Sequence, residues 1–322
     1  MARPGAPRKG RVSRRLPQRR PHEGASWRQA GAQWLVRWCV RLAMALGDRL
    51  PAAWLEPLGA LFGACAYHAL TALRRQAERH AALALEPGRA RLVARRCFSN
   101  AGRHLGLSLL LRRAATRATD LVRVPDDALT TLRSALAPGR GAIVISAHIG
   151  PFELIPAVLE ELGVATAIVV RESHDPALDP LIDAHRHARG SQVIHRGAAG
   201  AASRIVHALA AGKALGLLPD IGASVESRPA LLCGRRVLLP VGPQRLALRL
   251  RLPLLVCVLE PRTTGHDPGS QRFTLSIRRL PALADEAAAT ELVARELSES
   301  IMRAPEHWLW MAAGREPGPV PG

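Results

Sequence analysis

Apolar and polar positions follow two rhythms along this chain. From about residue 29 to residue 113, apolar residues recur at helical spacing and are interrupted by basic ones. From Leu121 onward, short apolar runs alternate with helical stretches. In the first part Trp34, Trp38 and Leu42 share one stripe, while Arg37 and Arg41 lie four apart on another. That pattern predicts an amphipathic helix suited to an interface, with Trp at headgroup depth. Residues 54–73 form a second, more apolar segment that carries Glu56, Pro57 and His68. Neither segment offers the roughly 20 apolar, nearly uncharged residues that a membrane span requires.

The second part predicts strands at 164–170, 192–194, 214–218, 254–259 and 272–279, with helices at 178–189, 199–211, 243–251 and 287–303. Such alternation argues an α/β class with a mainly parallel central sheet flanked by helices. The most informative run is Gly141-Ala-Ile-Val-Ile-Ser-Ala-His148. An unbroken Ile/Val run reads as a strand buried on both faces, and here it leads straight into His148. Gly150 then supplies a free turn, Pro151 suits the first helical position, and Glu153 falls in the opening turn of that helix. This places an imidazole and a carboxylate at the edge where open α/β sheets keep their ligand sites. The His-x-x-x-x-Glu spacing lets Glu153 reach the ring nitrogen facing away from a cleft, fixing the tautomer and stabilising an imidazolium. His174 and Asp179 repeat the spacing, but Pro176 intervenes and the segment reads as loop.

Composition adds a partner class. A formal charge of +19 on 322 residues implies acidic partners. Much of it sits in residues 1–28, an arm of Arg, Pro and Gly with no apolar periodicity. It reads as disordered and able to tether the chain to an anionic membrane surface. The arm shows no cleavage pattern and argues against export. Basic residues are not interleaved with aromatics, which argues against nucleic acid as the partner. The five cysteines are scattered without metal-ligand spacing, so neither a metal site nor a disulfide framework is expected. No nucleotide-binding glycine pattern is present.

Several short motifs follow one another over about residues 30–312. They are the block His148-Ile-Gly-Pro-Phe-Glu153; Arg171 after the next strand; and Arg186 and Gly190, spaced Arg-x-x-x-Gly, at the end of the next helix. After these come the leucine-rich stretch from Gly212 to Asp220, then Cys233-Gly234-Arg235, then Gly242-Pro243 before an apolar strand. The series closes on Pro305-Glu-His-Trp308-Leu-Trp310. In this order they resemble the lysophospholipid acyltransferase superfamily, in particular its branch of bacterial lipid A lauroyl/myristoyl acyltransferases. Pro151 and Phe152 stand where that branch has Asn-Trp, and Ile221 where it has Gln.

The resemblance implies a glycerol-phosphate acyltransferase-like fold and an O-acyltransferase. Such an enzyme moves a fatty acyl chain from a thioester to a hydroxyl of a glycolipid, a lipid A precursor above all. The co-substrate is an acyl-carrier protein or coenzyme A thioester, with no further cofactor and no metal. Implied domains are the arm at 1–28, a helical membrane-associating region at 29–115, the acyltransferase domain at 116–312 and a Pro/Gly-rich tail at 313–322. The expected location is the cytoplasmic (inner) membrane, with the catalytic domain facing the cytoplasm.

Roles then follow from acyl-transfer chemistry, which needs a base for the hydroxyl and donors for the oxyanion. His148 is the expected general base and Glu153 its orienting partner. Gly150 and the helix start after it are candidate oxyanion donors. Arg171 is the candidate phosphate clamp, by its bidentate fork. Asp220 is expected to hold an acceptor hydroxyl, pair with Arg171 or cap the next turn. Arg186 counts among the substrate-binding candidates, and Gly234 and Arg235 are expected to shape the phosphate or acyl end. Trp308 and Trp310 read as core or membrane-edge packing. Open alternatives are the same fold acting on a phospholipid or another glycolipid, and a non-enzymatic basic protein that binds nucleic acid or membranes.

Overall fold

The structure, a computed structural model, describes residues 44–313 except 46, 114, 138, 172–178, 223–224, 263–270 and 283. The basic arm, the stripe of Trp34, Trp38 and Leu42, His174 and the tail beyond 313 lie outside the described residues. Three helices come first: α1 (Ala52–Ala69), α2 (Thr71–Ala82) and α3 (Pro87–Leu110). A short α4 (Ala118–Leu121), β1 (Val122–Arg123) and α5 (Asp126–Leu136) lead into the α/β part. That part runs β2 (Ala142–Ile145), α6 (Leu154–Glu161), β3 (Thr166–Val170), α7 (Asp179–His187), β4 (Gln192–His195), α8 (Ala201–Ala210) and β5 (Ala214–Leu217). It continues through β6 (Ser227–Leu232), β7 (Arg235–Pro240), α9 (Gly242–Leu250), β8 (Leu254–Pro261), β9 (Phe273–Arg279) and α10 (Glu286–Arg303). Two 3-10 turns, Pro305–His307 and Trp310–Ala312, close the described chain.

Seven strands form one sheet in the order β1-β9-β8-β2-β5-β3-β4. β8 and β9 pair antiparallel, and every other neighbour pair is parallel. Alternate side chains of a strand point to opposite faces, and here both faces are covered. Ile143, Ile145, Leu215 and Val256 join one core layer with Val293, Leu297 and Ile301 of α10. Ala142, Val144 and Leu255 join the other with Leu154, Val158 and Leu159 of α6. Burial on both sides is the physical reason that Ala142–Ile145 reads as a continuous apolar run. β2 sits at the switch point, since the chain leaves it towards β5, β3 and β4 and later returns on its other side at β8.

Two sequence expectations differ from the structure, and one element was not expected at all. The central strand stops at Ile145, three residues short of His148, because the backbone then leaves the ladder. The following helix starts at Leu154 rather than Pro151, because 151–153 form a tight turn in which the Leu154 amide donates to the Pro151 carbonyl. Residues 227–240 form an unanticipated two-stranded hairpin apart from the main sheet. Pro229 disguised it, since Pro is tolerated only on edge strands, and both strands of an isolated hairpin are edges. Cys233 and Gly234, at φ 52° and 73°, make its two-residue turn.

Among the N-terminal helices, α1 and α3 lie almost backbone to backbone. A methyl group on Gly63 would run into the Phe98 carbonyl, and one on Gly102 into the Gly59 carbonyl. Glu56, on α1, is turned inward to ion pairs with Arg272 and, at 3.6 Å, Arg103. The opposite side of α1 exposes Trp54, Leu58, Leu61 and Phe62, the last two at 61% and 62%. The predicted 54–73 segment breaks at Leu70, where α1 gives way to α2. Among the described residues no helix is long and apolar enough to cross a membrane.

Candidate active site

Parallel pairing of β2 with β5 brings the residues after these two strands together at the C-terminal edge of the sheet. The Ser146 amide makes one more bond, to the Leu217 carbonyl, beyond the paired residues of the two strands. His148 follows β2 and Asp220 follows β5, and they meet. His148 Nδ1 lies 2.8 Å from Asp220 Oδ1, while the His148 amide donates to Oδ2 at 2.8 Å. The Trp308 indole Nε1–H donates to that same Oδ2, again at 2.8 Å. Asp220 is 2% exposed. Burial works to raise its pKa, but the charge of His148 and the bonds from His148 and Trp308 outweigh burial and hold the carboxyl below its usual range. With Nδ1 engaged by a carboxylate, the other ring nitrogen is left as the acceptor towards the cavity that His148 lines. Phe152 packs edge-on against the imidazole, 4.8 Å between ring centres.

The ring partner predicted for His148 is therefore different from the one observed. Glu153 sits just ahead of α6 and turns its side chain to Arg186 of α7, accepting two bonds at 2.6 and 3.1 Å from the guanidinium. The late start of α6 explains the change, since it places Glu153 ahead of the helix rather than inside its first turn. Gly150 adopts φ 61°, so the expected turn is present, but its N–H is taken by the His307 carbonyl at 2.9 Å. That amide is not free to meet an oxyanion. The Leu154 and Ile155 amides likewise turn back to the Pro151 and Phe152 carbonyls.

A cavity of about 540 Å³ opens beside His148 and is lined by Phe152, Glu153, Arg171 and Arg186 as well. Its lining continues inward to Val144, Ile155, Leu159, Ile168 and Gly216, between the sheet and α6. Val144 lies on β2, so the apolar part of the lining runs inward along that strand from the His148 loop. Register places Arg171 and Arg196 side by side, because Val170 pairs with His195 and the Arg196 amide donates to the Val170 carbonyl. Burial, and then the charge of Arg171, lower the pKa of Arg196. Gly234 and Arg235 are not among the residues lining this cavity. Gly234 belongs to the hairpin turn, and Arg235 is buried at 3% exposure. Among the described residues no group of three or more His, Cys, Asp or Glu is placed to hold a metal ion.

The site also has a contributor that sequence reasoning treated as packing only. Residues 305–313 run as a strap beneath both loops. Leu309 donates to the His148 carbonyl, Ile149 bridges Trp308, and Ile221 bridges Ala313. On its far side the strap is tied to the helices. Cys97 Sγ donates to the Trp308 carbonyl, Asn100 Nδ2 to the Glu306 carbonyl, and the His80 ring meets the Trp310 carbonyl at 2.9 Å. The available signal was that a buried indole N–H requires an acceptor. Nothing local points to one 88 residues away.

A His–Asp pair at the switch point of a parallel sheet, beside a cavity with an apolar inner wall, is an arrangement able to take a proton from a hydroxyl. The sequence model of the bacterial lipid A biosynthesis acyltransferase family matches residues 24–313, and the chain belongs to that family. The family is one of acyltransferases, which implies an acyl donor and a lipid acceptor. No curated protein matches the chain.

Proposed function

We propose that this protein transfers a fatty acyl chain from an acyl thioester to a hydroxyl of a membrane glycolipid of the lipid A precursor class. The observation that carries the reading is His148, braced by Asp220, at the head of the apolar cavity. In the proposed reaction the acceptor hydroxyl gives its proton to His148 Nε2 as its oxygen attacks the thioester carbonyl carbon. The tetrahedral intermediate then collapses with breakage of the C–S bond, and the imidazolium protonates the leaving thiolate. Asp220 stabilises the imidazolium between those two steps, as a buried carboxylate on the distal ring nitrogen does. The cavity wall of Val144, Ile155, Leu159 and Ile168 supports an aliphatic acyl chain as its occupant. Arg171, with Arg196 beside it, is assigned the phosphate of the acceptor or of the donor's pantetheine arm. The Glu153–Arg186 pair borders the cavity on the side of α7 and shapes the acceptor's approach.

The donor is an acyl-carrier protein or coenzyme A thioester, and a net charge of +19 favours the acidic carrier protein. Attachment is to the cytoplasmic membrane surface, with the catalytic domain on the cytoplasmic side. The exposed face of α1 supports this, since Trp54, Leu58, Leu61 and Phe62 are exposed apolar side chains at helical spacing. The test is to incubate the full-length protein with acyl-carrier thioester and a hydroxyacylated phosphoglycolipid, and to read the lipids by mass spectrometry. A gain of one acyl group on the glycolipid is expected. Acylation of a lysophospholipid alone, or no thioester consumption with any acceptor, would overturn the assignment.

A further inference from the structure

We propose that Trp308 is a positioning residue for acyl transfer, its indole N–H fixing the carboxylate that braces His148. The inference rests on the acyl-transfer reading above and goes beyond it by drawing the strap at 305–313 into the chemistry. Asp220 has two oxygens with distinct tasks. Oδ1 faces the ring nitrogen of His148, while Oδ2 receives the His148 amide and the Trp308 indole. With Oδ2 held from two directions, the carboxylate cannot rotate, and Oδ1 stays aimed at Nδ1. A carboxylate held by the His148 amide alone is free to swing about that contact, and the ring loses its fixed tautomer.

The placement of the indole is itself over-determined. Trp308 is 1% exposed, its carbonyl accepts from Cys97 Sγ at 2.9 Å, and its ring packs edge-on against Trp310 at 4.7 Å. Its neighbours in the strap hold the other loop, through the Leu309 amide on the His148 carbonyl and the His307 carbonyl on the Gly150 amide. Trp310 offers an internal control. It lies in the same strap and is equally buried, but its indole N–H donates to the Pro305 carbonyl and not to the site. Among the described residues, the groups whose charge couples to the Asp220 carboxylate include the His148 ring and the Cys233 thiol, and that thiol also feels Arg235.

The experiment compares the wild type with Trp308→Phe, with Trp310→Phe, and with a protein carrying benzothienylalanine at position 308. That isostere keeps the bicyclic shape and replaces N–H by sulfur. For both 308 variants, kcat is expected to fall at least roughly tenfold with KM little changed, the scale of one charged hydrogen bond. Trp310→Phe should lower the melting temperature and leave kcat in place. A second readout does not depend on turnover, since the wild type should show a far-downfield proton resonance from His148 Nδ1 that the 308 variants lose. An unchanged kcat in the isostere would overturn the proposal while leaving acyl transfer standing. If the wild type transfers no acyl group, the resonance decides alone, and its persistence in the isostere overturns the proposal.

Discussion

Replacing Asp220 by Asn removes one charge from the centre of the site and leaves its outline intact. The carboxylate accepts from the His148 ring, the His148 amide and the Trp308 indole, all at 2.8 Å. An imidazolium and a carboxylate in such contact have charge centres roughly 4 Å apart, which at an effective dielectric of 20 is worth about 4 kcal/mol. That stabilisation is absent while the ring is neutral, so it acts on the step in which His148 holds the proton. At about 1.4 kcal/mol per tenfold, Asp220→Asn should lower kcat roughly 10³-fold with KM nearly unchanged. The amide also presents two N–H donors where only acceptors are wanted, turning the imidazole towards the wrong tautomer. A second assay follows stability with pH. Asp220 has a depressed folded-state pKa, so its contribution is present above the unfolded carboxyl value, about 3.9, and is lost as pH falls through the folded value. Below about pH 4 the wild type should therefore lose stability more steeply than Asp220→Asn. A variant keeping more than a tenth of wild-type kcat, or showing the same acid slope, would refute the reasoning.

His148→Ala should abolish acyl transfer with the far-ultraviolet circular dichroism preserved, and His174→Ala should be close to neutral in the same assay; comparable losses in both would remove His148 from the base role. Gly102→Val should cost about 3 kcal/mol, measured in urea, because its side chain meets the Gly59 carbonyl and α1 must separate from α3. A neutral result there would mean the helices do not lie in this contact. Leu61→Glu with Phe62→Glu should weaken flotation with anionic vesicles at least roughly tenfold while leaving the melting temperature within a degree or two, since both side chains are exposed. Unchanged flotation would locate the membrane contact elsewhere.

The sheet was legible wherever strands are buried on both faces. Ala142–Ile145 and Leu254–Pro261 carry the apolar runs that such burial demands, and the partly exposed Thr166–Val170 is apolar enough to read the same way, although the first of them stops short of His148. His148 was marked by the end of the first of these runs. Its ring partner was not, because the meeting with Asp220 depends on β5 lying beside β2, a choice of strand order that no local pattern encodes. The nearest carboxylate in sequence, Glu153, had the right spacing, but the turn at 151–153 carries it round to Arg186. Hairpin residues 227–240 were hidden by Pro229, although Cys233-Gly234 is a readable turn signal. Arg235 was drawn into the site by motif order and is instead buried away from the cavity lining.

The strap also sets the order in which this site is completed during synthesis. A ribosome delivers α1 to α3 first, then His148, then Asp220, and Trp308 only near the end. The bonds that join the strap to those early helices close loops of 206 residues at Asn100, 211 at Cys97 and 230 at His80. Loops of that length close late, after the strands and helices between them have formed. A nascent or truncated chain ending before residue 305 thus holds the sheet and the histidine but lacks the clamp on both loops. On the acyl-transfer reading proposed above, such a chain already carries His148 and Asp220 and gains the brace between them only when the strap arrives.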